Sequence, residues 1–459
     1  MFAHCLTHEG ILKAIREQVR FARARMGTYE LMDFVAVVIG YVLSGEPTPQ
    51  TFYERLAPFA EPFMSLFERN QLPHRSTLSR FLAALDQPTV EALRMLFQED
   101  LLARTSFASP GGLFDRTGGQ WTVMDVDSTR CVARQRALPQ VEALPAPHRR
   151  FDQVCAPGYQ GRKRGEVVRT RTVILQAHTH QFLGTFGGSG NGDYRGELQR
   201  AIGVITTYAT QPGLPTTSVL IRLDGLYGDA APLLDVLSAN LTVIVRSRAY
   251  HLLDLDVVKR RLVHAPDHVS THAESGMTRS LYDWASVPLT PAGPNVRLVV
   301  ATHPGTSADP AVGVERDGTV YELFVSTLPS PAFTASDILE LYLHRGSFET
   351  VLADEDKEQE MDRWYSHTPC GQEFAQILAQ WAWNIRLELG QHLSQAELRT
   401  TEFAPAREVE APCPSEPEPV EAPPSAIVYG PPQWARSSLY PWFSRLHIHS
   451  VPDPKEETT

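Results

Sequence analysis

Apolar residues in the first hundred positions recur at three- and four-residue intervals, the period of a helix with one buried face. The pattern predicts helices from Ile11 to Arg25, Leu31 to Leu43, Tyr53 to Arg69 and Val90 to Leu102. Beyond residue 112 the period shortens to two, or gives way to short apolar runs bounded by turn residues, as strands require. Strands are predicted at WTVMDVD (121–127), RTRTVILQAHT (169–179), QFLGTFGG (181–188), SVLIRLD (218–224) and LTVIVRSR (241–248), with helices at 194–209 and 230–240. Three strands followed by alternating helices and strands indicate a layered α/β core.

From Ala249 to Pro331 the chain is β-rich again, with VRLVVATHP and TVYELFVSTLP set between Pro-rich loops, and reads as an insertion. Helical periodicity returns at DILELYLHRGSFETVLADEDKE (337–358) and GQEFAQILAQWAWNIRLELG (371–390). The next stretch, APCPSEPEPVEAPPS (411–425), has too little apolar area to fold alone. The expected organisation is a helical head (1–112), a core in two parts (113–248 and 333–402), a β-rich insertion (249–332) and a flexible Pro/Glu-rich tail (403–459).

Composition narrows the class. The five cysteines form no C-x-x-C pair, which argues against a zinc ribbon or a disulfide framework and for a reducing compartment. No signal sequence opens the chain, and its longest apolar run, FVAVVIGYVLSG, is too short to span a bilayer. A cytoplasmic protein with no membrane partner is expected. The net charge of −11 sits awkwardly with nucleic-acid binding, although residues 402–459 account for −5 of it, with nine acids against four Lys or Arg. Basic residues cluster at 13–25 and between Arg149 and Arg171, the latter centred on Arg162, Lys163 and Arg164.

The candidate chemistry lies in acids at strand ends and in one helix. Asp125 and Asp127 alternate to the same side of their strand, and Asp224 ends an apolar strand where turn residues begin. Alone, such acids are ordinary turn formers. Tyr342, Arg345 and Glu349 fall at i, i+3 and i+7 and are expected on one face of a single helix.

That spacing, Tyr-x2-Arg-x3-Glu, resembles the signature helix of the DDE transposases of bacterial insertion sequences, in the subgroup with a Y-R-E-K motif. The resemblance implies an RNase H-like core interrupted by a β-strand insertion that helps hold the transposon end. It also implies a metal-binding triad of Asp127, Asp224 and Glu349, with Asp125 as the rival for first acid. Two Mg²⁺ ions, for which Mn²⁺ can substitute, would support cleavage of double-stranded DNA and joining of the freed 3′-hydroxyl to target DNA. The expected working form is a homodimer on paired ends, associated with the bacterial nucleoid. The family's lysine follows its glutamate after six residues; Asp356 stands there in this chain, and Lys357 comes next.

DNA contacts are expected from Tyr342, Arg345 and Lys357, from Arg162, Lys163 and Arg164, and from Arg80 on a helix expected to be capped by Ser76. That helix suits the recognition element of a helix-turn-helix and equally an ordinary bundle helix. Trp284 suits base stacking or a core. The pairs His178/His180 and His447/His449 lack further metal ligands in view. The alternatives to a transposase are a derived DNA-binding protein that no longer cuts, and a metal-dependent nuclease without strand transfer.

Overall fold

The computed structural model describes residues 2–21, 27–104, 112–132, 156–160, 163–189, 193–272, 275–305, 312–359 and 365–394. The head contains α1 (Phe2–His8), α2 (Ile11–Gln18), α3 (Leu31–Leu43), α4 (Pro49–Leu56), α5 (Ala60–Ser65), α6 (Arg75–Ala83) and α7 (Gln87–Arg104). The run expected from Tyr53 to Arg69 is split between α4 and α5 by a 3₁₀ turn at Ala57–Phe59, because Pro58 lacks the N–H that a continuous helix would need. Nearly every side chain of α3 from Met32 to Val42 is buried, so this apolar helix is the axis of the head. Its one buried acid, Asp33, is held by Arg69 at 2.6 Å.

The rest of the chain is organised on one twelve-stranded sheet. Its strands are β1 (Leu113–Phe114), β2 (Gln120–Val132), β3 (Ala156–Gln160), β4 (Lys163–Gln176), β5 (Phe182–Ser189), β6 (Val219–Leu223) and β7 (Thr242–Ser247), then β8 (His268–Thr271), β9 (Thr278–Pro288), β10 (Asn295–Pro304), β11 (Val314–Arg316) and β12 (Thr319–Ser326). The main order is β3-β4-β2-β6-β7-β12-β10-β9-β8, and β5 pairs with β4. β4 runs antiparallel to both β2 and β5, whereas β6 runs parallel to β2 and β7 parallel to β6. The strands of the β-rich segment 249–332 continue this sheet. β12 pairs antiparallel with β7 from Leu323↔Ser247 to Ser326↔Ile244, satisfying an edge that would otherwise be left open.

Helices cover both faces: α8 (Tyr194–Thr210) and α9 (Ala230–Ser238) on one, α11 (Ala335–Leu343), α12 (Gly346–Gln359) and α13 (Pro369–Ser394) on the other, while α10 (Asp256–Leu262) lies beside the added strands. Alternation along the strands assigns the side chains. Met124, Val126, Ile221 and Leu223 pack against the α8/α9 layer, and Val123, Leu220, Val173 and Leu175 against α11, α12 and α13.

α13 joins head to sheet. Phe374, Ile377, Leu378, Trp381 and Ile385 enter the core of the head, whereas Trp383 and Leu387 pack on Val173, Leu175 and Phe182. Asn384 donates to the Phe182 carbonyl and accepts from its N–H, both at 2.9 Å, and so closes a piece of the β5 edge. α6 begins one residue earlier than expected. His74 is its cap, its ring nitrogen accepting from the Ser76 N–H at 3.2 Å, and Ser76 lies inside the helix.

Candidate active site

The first two acids stand side by side. β2 and β6 are parallel neighbours in the register Asp125↔Arg222 and Val126↔Leu223, so Asp127 and Asp224 follow at the next step, where the pairing of β2 with β6 ends. By alternation all four polar residues project to the α11/α12 face, yet they have different fates. Asp125 and Arg222 are both fully buried, and the guanidinium forks onto the two carboxylate oxygens at 2.8 and 2.7 Å. The third Arg222 nitrogen donates to the Leu341 carbonyl at 2.9 Å, tying the last turn of α11 to the sheet. Asp125 is therefore a neutralised strut whose oxygens are already spoken for.

Asp127 keeps access to solvent, with 16% of its side chain exposed. Burial pushes its carboxyl above the usual carboxylate range; the Arg345 guanidinium opposes this and the neighbouring Asp224 adds to it. The Asp127–Arg345 ion pair measures 2.7 Å. Asp224 caps the short turn Gly225–Tyr227 by accepting from the Leu226 N–H at 2.7 Å. On the opposite face of β2, the Tyr227 hydroxyl meets Ser128 Oγ at 2.5 Å, which joins the turn after one acid to the residue after the other. Ser128 also touches Thr172, and Thr172 and Thr170 both donate to buried Glu197 of α8, whose carboxyl burial pushes up.

Three further groups face the acid pair. Tyr342 is buried against Phe324, with burial raising its phenol and the charges of Arg246, Arg345, Asp224 and Asp127 all felt there. The Arg246 guanidinium lies 5.7 Å from the Tyr342 ring centre. A Cβ on Gly225 would fall 3.6 Å from Arg248 Nε and 3.7 Å from Arg246 Nε, so both arginines border the Asp224 turn. Neither ion-pairs with a carboxylate among the described residues. Sequence reading missed them, although an Arg-x-Arg at the end of an apolar strand, immediately after an acid-ended one, was the available signal.

The Y-R-E spacing is present, but the single helix expected to carry it is not. α11 stops at Leu343 and α12 starts at Gly346, and the intervening bonds Arg345 N–H to Tyr342 and Phe348 N–H to Arg345 are of the i→i+3 kind. Tyr342 and Arg345 remain beside the acids, whereas Glu349, in the first turn of α12, is exposed and makes no hydrogen bond or ion pair among the described residues. The cause is the register of α12. Its buried stripe is Phe348, Val351, Glu355 and Gln359, and Glu349 lies about 100° round from Phe348. Glu355 fixes that register through a buried ion pair with Arg171 of β4 at 2.9 Å. No group of three His, Cys, Asp or Glu placed to hold a metal occurs among the described residues.

The other candidates fall away from this cluster or outside the described residues. Lys357 is exposed and pairs at 3.4 Å with Asp354 of its own helix. Arg80 is exposed on α6, bonded to the Ser76 carbonyl at 3.1 Å. Lys163 and Arg164 open β4; Arg162, His447, His449 and the whole tail lie outside the described residues. Trp284 is a core residue 7% exposed, and His178 and His180 are buried at the β4–β5 turn. No described helix is long and apolar enough to cross a membrane.

The donor chemistry fits a divalent cation at Asp127 and Asp224: two adjacent carboxylates, one of them half-desolvated and raised by its neighbour, are stabilised by a shared positive charge. No family model matches the chain, and no curated protein matches it. Among solved structures, the piggyBac transposase synaptic complex with hairpin DNA is similar at 10% identity, over 86% of this chain and 77% of that one, with a TM-score of 0.42. The Mos1 mariner paired-end complex with Mn is similar at 11% identity, over 53% of this chain and 75% of that one, with a TM-score of 0.17.

Proposed function

We propose that this chain is a DDE transposase of the Y-R-E-K kind, built on an RNase H-like core, that cuts double-stranded DNA at the ends of its own mobile element and joins them to a target. The observation that carries the reading is the pair Asp127 and Asp224, side by side just past the last paired step of the parallel strands β2 and β6 and faced by Tyr342 and Arg345. The strand order β5-β4-β2-β6-β7, three antiparallel and then two parallel, is what an RNase H-like core requires, and it supports the same reading.

Asp127 and Asp224 would hold the divalent ions, Mg²⁺ or Mn²⁺, with Glu349 as third ligand once the first turn of α12 presents it. When bound, such ions supply Lewis-acid activation of water and of the leaving oxygen. The protein's own share is placement. Arg345 and Arg246 offer guanidinium forks suited to phosphate oxygens, and Tyr342 presents a buried ring and a hydroxyl beside them. Tyr227 and Ser128 lock the spacing of the two acids from behind. Arg80, Lys357, Arg162, Lys163 and Arg164 would extend the contact along the duplex, and two chains on paired ends would complete the assembly. The second reading, a DNA-binding protein that no longer cuts, is favoured by one observation: the outward position of Glu349.

The test is a cleavage assay with Mg²⁺ on DNA carrying the flanking ends of this gene's own locus. Nicking that disappears in Asp127→Asn and Asp224→Asn while DNA binding persists supports the enzyme, and joined products separate a transposase from a nuclease. Equal cleavage by both variants and the parent would remove these residues from the chemistry.

A further inference from the structure

We infer that Arg345 couples DNA to metal: without DNA its guanidinium takes the place of a cation on Asp127, and a DNA phosphate that draws it away frees Asp127 and Asp224 for a divalent ion. The inference rests on the reading of the acid pair given above and adds an order to it. Three observations carry it. The Arg345–Asp127 pair is short, at 2.7 Å, and shielded, with Arg345 only 9% exposed, so it is not a loose surface contact. Asp125, whose charge Arg345 also feels, is already forked at both oxygens by Arg222, so the ion pair of Arg345 is made with Asp127. Arg345 also sits in the i→i+3 turn between α11 and α12, where the backbone that carries it can reorient without breaking an α-helical ladder.

Charge makes the two occupants exclusive. A guanidinium and a divalent ion on the same largely buried carboxylate repel each other at a few ångströms, where the low local dielectric leaves the repulsion poorly screened. A phosphate arriving beside Tyr342 and Arg246 offers Arg345 a new anionic partner, and the carboxylate it leaves is then open to metal. By linkage the effect is reciprocal: DNA tightens metal binding by the factor by which metal tightens DNA binding. Glu349 follows Arg345 by four residues, so a rearranged turn also moves the segment carrying the third acid.

Titration of Mn²⁺ alone, with the free ion followed by electron paramagnetic resonance, tests this on the full chain with and without the duplex from its flanking ends. The parent should bind Mn²⁺ weakly alone and roughly 5- to 150-fold more tightly with DNA, the usual span of such couplings. Arg345→Gln and Arg345→Met should bind tightly without DNA and gain little from it. Arg345→Lys, which keeps the charge, should retain the parent's weak DNA-free binding, and Asp127→Asn should remove the tight component throughout. If Arg345→Gln and Arg345→Met, folded by their melting curves, bind DNA-free Mn²⁺ no better than the parent while Asp127→Asn still abolishes the tight binding, the coupling is wrong and the metal site stands. If Asp127→Asn leaves Mn²⁺ binding untouched, the metal site itself fails, and the coupling fails with it.

Discussion

Asp125→Asn should destabilise the protein far more than Asp127→Asn, two positions along the same strand. Asp125 and Arg222 are both 0% exposed, and the guanidinium directs two of its hydrogen bonds to this carboxylate and one to the Leu341 carbonyl. Neutralising one member of a buried pair strands the other's charge in a medium that solvates it poorly, a cost of about 3–5 kcal/mol. Against a typical total of about 5–15 kcal/mol, that is a large fraction of the stability. Asp127 differs because 16% of its side chain reaches solvent, Asp224 repels it, and an asparagine oxygen can still accept from Arg345. Its neutralisation should cost no more than the ~1.5–3 kcal/mol of one charged hydrogen bond, and less once the relieved repulsion is counted. Urea midpoints of the two variants measure the contrast, and the pair Asp125→Leu with Arg222→Met should recover most of the loss, since well-packed apolar residues often replace a buried pair without penalty. Equal midpoints for Asp125→Asn and Asp127→Asn would refute the division of the two acids into strut and ligand.

Glu349→Gln should leave urea stability within about 0.5 kcal/mol of the parent, since the side chain is exposed and makes no ion pair among the described residues, yet abolish metal-dependent nicking; unchanged nicking would exclude it as a ligand. Burial raises the Asp127 carboxyl, so the folded chain keeps this proton where the unfolded chain has lost it. The Asp127 contribution to stability should therefore fall as pH rises from the ordinary value of 3.8 through the raised one. Asp127→Asn should remove that decline from a series of urea midpoints, and parallel curves would contradict it. Tyr227→Phe, which deletes the hydroxyl on Ser128, should cost about 0.5–1.5 kcal/mol and weaken Mn²⁺ binding; a midpoint equal to the parent's would show that the link does not brace the site. Asn384→Leu should cost roughly 1–3 kcal/mol by leaving the Phe182 N–H and carbonyl unpaired, measurable as faster hydrogen exchange along β5.

Several features were legible from local pattern because they depend on it. The apolar run before Asp224 placed that acid at a strand end, whereas the strand read as WTVMDVD runs on to Val132 and leaves Asp127 within it; the three- and four-residue recurrence from Leu31 to Leu43 gave α3 with the bounds observed. Spacing likewise brought Tyr342 and Arg345 forward, and both sit beside the acids. These inferences hold because alternation and helical period are properties of a few consecutive residues.

Tertiary structure decided the rest, wherever one element had to be set against another. Only the β2/β6 register showed that Asp125 is consumed by Arg222 while Asp127 is left facing Asp224, since alternation sends both acids to one side and cannot say which meets a cation. Only the packing of α12, held by Glu355 on Arg171, turned Glu349 outward although its spacing from Arg345 suited a shared face. Continuity of the β-rich segment with the main sheet depended on β12 finding β7, a pairing between strands more than seventy residues apart that no local period encodes. Periodicity fixes which side of its own element a residue occupies; the partner on that side is chosen by burial and charge summed over the whole fold.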